Sequence, residues 1–283
     1  MELSSQAGVR CSTLDVPGAK LYYEVQGAGP LLLMIPGGPA DAGIFAAISA
    51  HLADRFTVVR YDPRGNSRSV LDDPAEEQEM DRHGDDAARL LAVFGDEPAF
   101  VLGSSGGAQI GLNLAARHPE QVRVLVAHEP PCMQLLPNAE ENRAFTDEIY
   151  ATYRQSGASA AMQKFLEGTG LGAGRKPDNA SPPPPELRES FARMQGNLDY
   201  FFAHGFRPIS RYIPAVPTLK SGKPRVAIAV GETSSGQIAH RSALVLAEQL
   251  GTAAAVFPGG HGGYNDLPVE FAGKLMAVLG GEC

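Results

Sequence analysis

The chain has 283 residues, 43% of them hydrophobic, and a formal net charge of -8 at pH 7. This length suffices for one large buried core with an inserted subdomain. The acidic balance and the lack of clustered Lys and Arg argue against a nucleic-acid partner, because phosphates are bound by clustered basic side chains.

The sequence shows no signal peptide, membrane span or disulfide pattern. The N-terminus lacks a basic segment followed by an apolar run, and no stretch approaches the length of a membrane span. Three cysteines without CxxC spacing, Cys11, Cys132 and Cys283, predict neither a disulfide framework nor a zinc site. We therefore expect a soluble, unprocessed cytoplasmic protein, a monomer or homodimer, that acts on a small molecule and binds neither membrane nor nucleic acid.

Short apolar runs alternate with longer segments of helical periodicity, as in a parallel sheet covered by helices. The predicted strands are residues 20–25, 31–35, 57–61, 100–102, 122–127, 225–230 and 253–257. The predicted helices are residues 44–53, 81–94, 106–117, 238–250 and 269–279. The sequence thus predicts an α/β fold with a mostly parallel central sheet and helices on both faces.

This alternation stops between residues 130 and 222, where helical patterns at 139–154 and 186–202 are separated by loops. We predict a helical cap at residues 131–221, inserted into a core domain made of residues 1–130 and 222–283. Residues 171–185 are rich in Gly and Pro, and proline stiffens the chain and removes a hydrogen-bond donor. This segment is interpreted either as a surface linker or as a mobile lid hinge.

A Gly-x-Ser-x-Gly motif at residues 103–107 lies between a predicted strand and a predicted helix. The serine of such a motif sits on a strained strand-to-helix turn, where side chains two positions away would clash. Ser105 is therefore the predicted nucleophile, and an ordinary tight turn is the alternative interpretation.

A serine hydroxyl needs an adjacent imidazole to accept its proton. His261 follows the last predicted strand and precedes the final helix, which brings it to the carboxyl edge of the sheet. His51, His83 and His118 fall in helical contexts and are interpreted as structural. His261 is therefore the predicted general base.

The carboxylate that orients this imidazole has two candidates. The commonest pattern places an aspartate a few residues after the strand at 225–230, but residues 231–235 read GETSS. Glu129, which ends the predicted strand beside that of Ser105, reaches the same sheet edge. We favour Glu129 and retain Glu232 as the alternative acid, and for each the structural interpretation is a surface or loop-anchoring carboxylate.

Backbone amides are expected to stabilise the oxyanion of a tetrahedral intermediate. The predicted donors are Gly106, directly after the nucleophile, and Gly38, in the PGGP loop at 36–39. The arginines of YDPRGNSRS at 61–69 are predicted to hold that loop rather than to contact substrate. Candidates for an apolar substrate pocket, with packing in the cap core as the alternative for the aromatic side chains, are His128, Tyr200, Phe202 and Phe206.

Taken in order, PGGP, YDPRGNSRS, GSSGG, HEPP and PGGHGG resemble the motifs of α/β hydrolases over essentially the full length of the chain. The GSSGG elbow and the HEPP strand end, together with HGFRPISRYIPA and GKPRVAIAVGE, resemble the zearalenone lactonases. This resemblance implies the α/β-hydrolase fold and hydrolysis of a lactone or related ester without a cofactor or metal. It also implies a triad of Ser105, His261 and Glu129. The chain has no tryptophan, whereas those lactonases place one in the cap, near Phe202 here.

Other activities remain possible on this fold. A serine at the elbow argues against haloalkane dehalogenases and epoxide hydrolases, because both use a carboxylate nucleophile. The alternatives that keep the same triad are a peptidase of the proline iminopeptidase type and a carbon–carbon bond hydrolase. The non-enzyme alternative is a ligand receptor on a hydrolase fold.

Overall fold

A computed structural model describes residues 5–6, 8–171 and 184–281. The predicted Gly- and Pro-rich segment falls almost entirely at 172–183, outside the described residues. Ten strands form one sheet: β1 (Ser5–Gln6), β2 (Val9–Val16), β3 (Ala19–Gln26), β4 (Leu31–Ile35), β5 (Thr57–Tyr61), β6 (Val70–Leu71), β7 (Ala99–Ser104), β8 (Val122–His128), β9 (Arg225–Gly231) and β10 (Ala255–Phe257).

The strands lie in the order β1-β2-β3-β5-β4-β7-β8-β9-β10, and β6 pairs with β3. In the part of the sheet that runs β5-β4-β7-β8-β9-β10, every neighbouring pair is parallel. The pairs β1–β2, β2–β3, β3–β5 and β3–β6 are antiparallel. The sheet is therefore mostly parallel, as the sequence predicts. Strand β2 is not among the predicted strands, because its sequence VRCSTLDV does not keep a regular alternation of apolar and polar residues.

Helices cover both faces of the sheet. They are α1 (Ala46–Leu52), α2 (Met80–Ala92), α3 (Gly106–Arg117), α4 (Ala139–Ser156), α5 (Ala158–Thr169), α6 (Pro185–Tyr200), α7 (Phe206–Ser210), α8 (Val216–Ser221), α9 (Ile238–Leu250), α10 (Gly263–Asp266) and α11 (Pro268–Gly280). The buried alternation along β4 shows the two faces. Leu33 and Ile35 join a core with α2, α3 and α9, while Leu32 and Met34 join a core with α1 and α11.

The described residues between β8 and β9 contain helices and no strand. Helices α4 to α7 pack around a cluster of aromatic side chains, whereas α8 packs against α3 and α9. We call the described residues between β8 and β9 the cap. A π-helical turn at Phe201–Gly205 joins α6 to α7. Among the described residues, none of the helices combines the length and the apolar character that crossing a bilayer requires.

Candidate active site

Ser105 occupies a sharp turn between β7 and α3. Its backbone has φ 56° and ψ -126°, a conformation that side chains rarely adopt and that stores strain. Glycine is required on both sides of this turn. A Cβ at Gly103 would lie 2.3 Å from the carbonyl oxygen of Gly107, and one at Gly107 would lie 2.0 Å from that of Ile35. The motif therefore holds Ser105 in the predicted elbow geometry.

The loop after β4 approaches this turn closely. A Cβ at Gly37 would lie 2.7 Å from the Cβ of Ser105, and a Cβ at Gly106 would lie 3.1 Å from the backbone nitrogen of Gly38. Gly38 has φ +56°, and its N–H has no acceptor among the described residues. The N–H of Gly106 belongs to the first turn of α3, where no intrahelical acceptor exists. Two amides without partners therefore flank Ser105.

Polar side chains hold this loop in place. The Nδ2 of Asn66 donates hydrogen bonds to the carbonyl oxygens of Gly38 and Ala40, at 3.0 and 2.9 Å. The predicted role of the loop arginines agrees with the structure, since Arg64 forms a bidentate pair with Asp86 and Arg68 one with Asp62.

His261 is hydrogen-bonded to Glu129, with 2.6 Å between Nδ1 and Oε2. Glu129 follows β8 with a positive φ of 48°, and its side chain is fully buried. The other carboxylate oxygen, Oε1, accepts hydrogen bonds from the backbone N–H of Gly231, at 2.9 Å, and from the hydroxyl of Ser234. The end of β9 and the turn after it thus supply hydrogen-bond donors to Glu129, at the place where the commoner pattern supplies the acid itself.

These contacts keep Glu129 ionised. Burial alone would raise its pKa, but the hydrogen bond and charge of His261 and the hydroxyl of Ser234 lower the pKa to about 2. Glu232 is exposed. Of the two candidate acids, Glu129 is therefore the one that the structure brings to His261.

His128 does not line an open pocket, so its prediction as a pocket residue is corrected. It is fully buried beneath the elbow, with its Nδ1 3.2 Å from the hydroxyl of Ser104 and its ring against Phe257 and Phe271. Its Nε2 has no partner among the described residues. Burial lowers the pKa of His128 to about 4, so the ring is neutral at neutral pH.

The predicted aromatic pocket is likewise corrected in part. Phe202 and Phe206 are at most 2% exposed and pack against each other in the cap core, with ring centroids 5.4 Å apart. Tyr200 is half-buried, and its hydroxyl donates to the carbonyl oxygen of Glu76 at 2.8 Å. At helical spacing, pocket and packing residues look alike, and here Phe202 and Phe206 pack in the cap core while Tyr200 binds the loop before α2.

Two further cap residues lie over the flanking glycines. The ring of Phe201 is 3.8 Å from the position a Cβ of Gly38 would take, and a methyl group of Ile209 is 3.6 Å from that of Gly106. No sequence signal separates Phe201 from its neighbour Phe202. The cap therefore presents apolar side chains at the points where it meets these two glycines.

Two cavities lie in the cap, with volumes of about 510 and 560 Å³. Neither is lined by Ser105 or His261. The first lies between α5 and α6, with Met162, Leu166 and Leu198 in its walls. Across the described ranges, no cluster of three or more His, Cys, Asp or Glu side chains is arranged to hold a metal ion.

Comparisons with known proteins agree with this architecture. Residues 30–208 match the family model described as alpha/beta hydrolase fold. The uncharacterised hydrolase YraK of Bacillus subtilis (strain 168) is 38% identical over 273 residues, which cover 94% of this chain and 95% of that protein.

Other matches are shorter or more distant. The 2-(acetamidomethylene)succinate hydrolase of Mesorhizobium japonicum is 32% identical over 114 residues, 40% of each chain. A crystal structure of a hydrolase from Pseudomonas aeruginosa PA01 superposes with a TM-score of 0.76 at 23% identity, over 95% of this chain and 98% of that one. At this identity the superposition shows the fold alone, and it confirms the predicted one.

Proposed function

Since the chain belongs to the α/β-hydrolase family, we propose that it is a serine hydrolase that cleaves a carboxylic ester, with a lactone as the favoured substrate. The observation that carries the proposal is the 2.6 Å hydrogen bond between His261 Nδ1 and the buried carboxylate of Glu129, at the sheet edge that also presents Ser105 on its strained turn. Glu129 fixes the tautomer of the ring, so that Nε2 is the atom left to accept a proton.

The reaction proceeds in two halves. The hydroxyl oxygen of Ser105 attacks the acyl carbon while its proton passes to Nε2 of His261, and the oxyanion accepts hydrogen bonds from the N–H groups of Gly38 and Gly106. The C–O bond then breaks, and His261 returns the proton to the departing alkoxide. Water, deprotonated by His261, attacks the acyl-serine; the bond to the serine oxygen then breaks, and His261 returns the proton to that oxygen as the acid leaves. Glu129 stays ionised throughout.

A lactone is favoured for two reasons. The acid at the end of β8 belongs, with the GSSGG elbow and the segments HGFRPISRYIPA and GKPRVAIAVGE, to the resemblance to zearalenone lactonases. In addition, Phe201 and Ile209 make the surroundings of the two amides apolar, and the arginines of the loop after β5, Arg64 and Arg68, are paired with carboxylates. A neutral, apolar acyl group fits this environment better than a charged one.

A second candidate is hydrolysis of a compound that carries an acetamido group. It is favoured by the 32% identity to 2-(acetamidomethylene)succinate hydrolase over 114 residues. That substrate is a dicarboxylate, which would need cationic partners, and the pairing of Arg64 and Arg68 counts against it.

The test is turnover of a panel containing aromatic macrolactones, small lactones, p-nitrophenyl esters, an N-terminal prolyl peptide and an acetamido dicarboxylate. We expect lactones and apolar esters to be cleaved, Ser105→Ala to abolish cleavage, and a fluorophosphonate to label Ser105 in the mass spectrum. Ser235→Ala, which changes an exposed serine after β9, is the matched control with unchanged rates. Cleavage of peptides or the acetamido compound alone would refute the ester assignment. Binding of ligands without turnover or labelling would favour the receptor alternative.

A further inference from the structure

The amide of Gly38 lies at the end of a chain of hydrogen bonds that begins in the cap. Asn197, on α6, donates from Nδ2 to the carbonyl oxygen of Pro39 at 2.7 Å. The same peptide unit carries the N–H of Ala40, which donates to the carbonyl oxygen of Gly37 at 3.1 Å. That second unit carries the N–H of Gly38.

Each of these peptide units is planar and trans, so its carbonyl and its N–H point in opposite directions. A hydrogen bond that fixes the carbonyl of Gly37 therefore fixes the direction of the Gly38 N–H. Bonds in such a chain also polarise one another, which strengthens the terminal donor. Asn197 thus stands two peptide units away from the group that faces the oxyanion.

The orientation of the Asn197 amide is determined by its partners. Its Oδ1 accepts from the backbone N–H of Ser67 at 2.8 Å, and a backbone N–H can only donate. The carbonyl of Pro39 can only accept, so Nδ2 must face it. Asn197 is 7% exposed, and its helix is anchored one and two turns earlier, where Arg193 and Ser190 bind the buried carboxylate of Asp41.

We propose that Asn197 is a positioning residue for the oxyanion hole, and that the cap through it sets the direction of the Gly38 N–H. The inference rests on the proposed function, because it takes that N–H as an oxyanion donor. In this arrangement the cap covers the substrate and also completes the group that stabilises the transition state. Loss of the Asn197 donor therefore reduces stabilisation of the transition state more than it reduces binding of the ester in the ground state.

The test uses the full-length protein and the second-order rate of Ser105 phosphonylation by a fluorophosphonate, which requires no knowledge of the natural substrate. Asn197→Asp keeps the shape and the acceptor for Ser67 but places a carboxylate oxygen against the carbonyl of Pro39. We expect phosphonylation and ester kcat to fall between about 10-fold and 100-fold, with KM within about 2-fold of wild type. Lowering the pH should raise the ratio of variant to wild-type rate, because protonation of the introduced carboxyl restores a donor. The loss of kcat at constant KM is the readout that a general loosening of the cap would not reproduce.

Asn197→Ala, which adds no charge, should give the same loss of kcat without the recovery at low pH, and it serves if the first variant does not fold. The control is Glu77→Gln, which alters another contact between cap and core, 3.4 Å from His204 Nδ1, on a loop that does not carry Gly38. It should leave both rates unchanged.

The outcomes separate the two proposals. Absence of labelling in the wild-type protein overturns the proposed function and this inference with it. Labelling of Ser105 at equal rates in wild type and in the folded Asn197 variants overturns the inference alone. A loss confined to KM also overturns it, because it would place Asn197 in ground-state binding.

Discussion

Two buried carboxylates lie on opposite sides of Ser105, and they differ in where their partners come from. Glu129 is held by Gly231, Ser234 and His261, all of which belong to the core. Asp41, equally buried, receives Ser190 and Arg193 from the cap, in addition to a backbone N–H and a hydroxyl from the core. Both carry a lowered pKa, because the donors around them outweigh the cost of burial.

The two sides of the site therefore differ in whether they depend on residues of the cap. The side with Glu129 holds the imidazole of His261, the proposed base, and none of the described cap residues is a hydrogen-bond partner of Glu129. The side with Asp41 lies next to the loop that carries Gly38 and is complete only when α6 is in place. Changes on the first side should therefore affect proton transfer, and changes on the second should affect stability of the cap and the oxyanion hole.

The sharpest test of the first side compares the two glutamates. Glu129→Gln should lower kcat about 10⁴-fold, since an amide cannot stabilise the imidazolium and favours the wrong tautomer. Glu232→Gln, which changes an exposed side chain, should leave kcat within about 2-fold. The measurement is steady-state hydrolysis of a p-nitrophenyl ester. The reverse pattern would transfer the acid role to Glu232.

On the second side, Arg193→Met leaves the carboxylate of Asp41 buried without its cation. We expect a loss of about 2 kcal/mol in the free energy of unfolding, less than for a fully buried pair because the guanidinium is partly exposed. Urea denaturation measures it. Arg211→Met, which removes an exposed pair within the cap, is the control with little effect. Equal losses in the two variants would contradict the division.

A smaller effect is expected where the core donates to Glu129. Ser234→Ala removes one hydrogen bond to the carboxylate and should lower kcat about 10-fold while KM stays constant. Ser234→Thr, which retains the hydroxyl, should recover most of the rate. Failure of threonine to recover it while alanine is impaired would indicate packing rather than hydrogen bonding.

The smallest effect concerns stability against pH. The pKa of His128 lies near 4 in the folded protein and near 6.5 in the unfolded chain, so its contribution is fully present above pH 6.5 and is lost as the pH falls toward 4. The pKa of Asp41 is lowered from 3.8, so the cap side loses its contribution only below that pH. Urea midpoints between pH 7 and 4 should fall less steeply in His128→Asn. If the urea midpoint changed with pH as steeply in the variant as in wild type, His128 would not be the source of this dependence.

The sequence predicts the elements that have strong local signals. The apolar parallel strands, the glycines of the elbow and the late position of His261 follow from composition and order along the chain. The choice between Glu129 and Glu232 does not, because it depends on which strand end lies nearest the imidazole in space. The structure decides the position, and the catalytic role stays a prediction for the Glu129→Gln experiment.

The cap is where sequence reasoning fails. Phe201 and Phe202 are adjacent and chemically identical, yet one lies over Gly38 and the other is enclosed in the cap core. A π-helical turn begins at Phe201 and changes the facing of these residues, which helical periodicity does not anticipate. Asn197 likewise carries no motif, because its partners lie about 130 and 158 positions away.

The position of Glu129, directly after β8 and before the cap, also affects how the chain folds during translation. Its backbone N–H binds Ala229 and its side chain binds Gly231, so the residues that seat it are synthesised 100 or more positions later. During translation, the glutamate emerges well before any of these partners and remains solvated until β9 has joined the sheet. Such distant pairing makes closure of this corner a late event in folding. A ribosome-bound chain arrested before residue 225 would accordingly contain the Gly-x-Ser-x-Gly motif, but Glu129 would lack the partners on β9 that hold it.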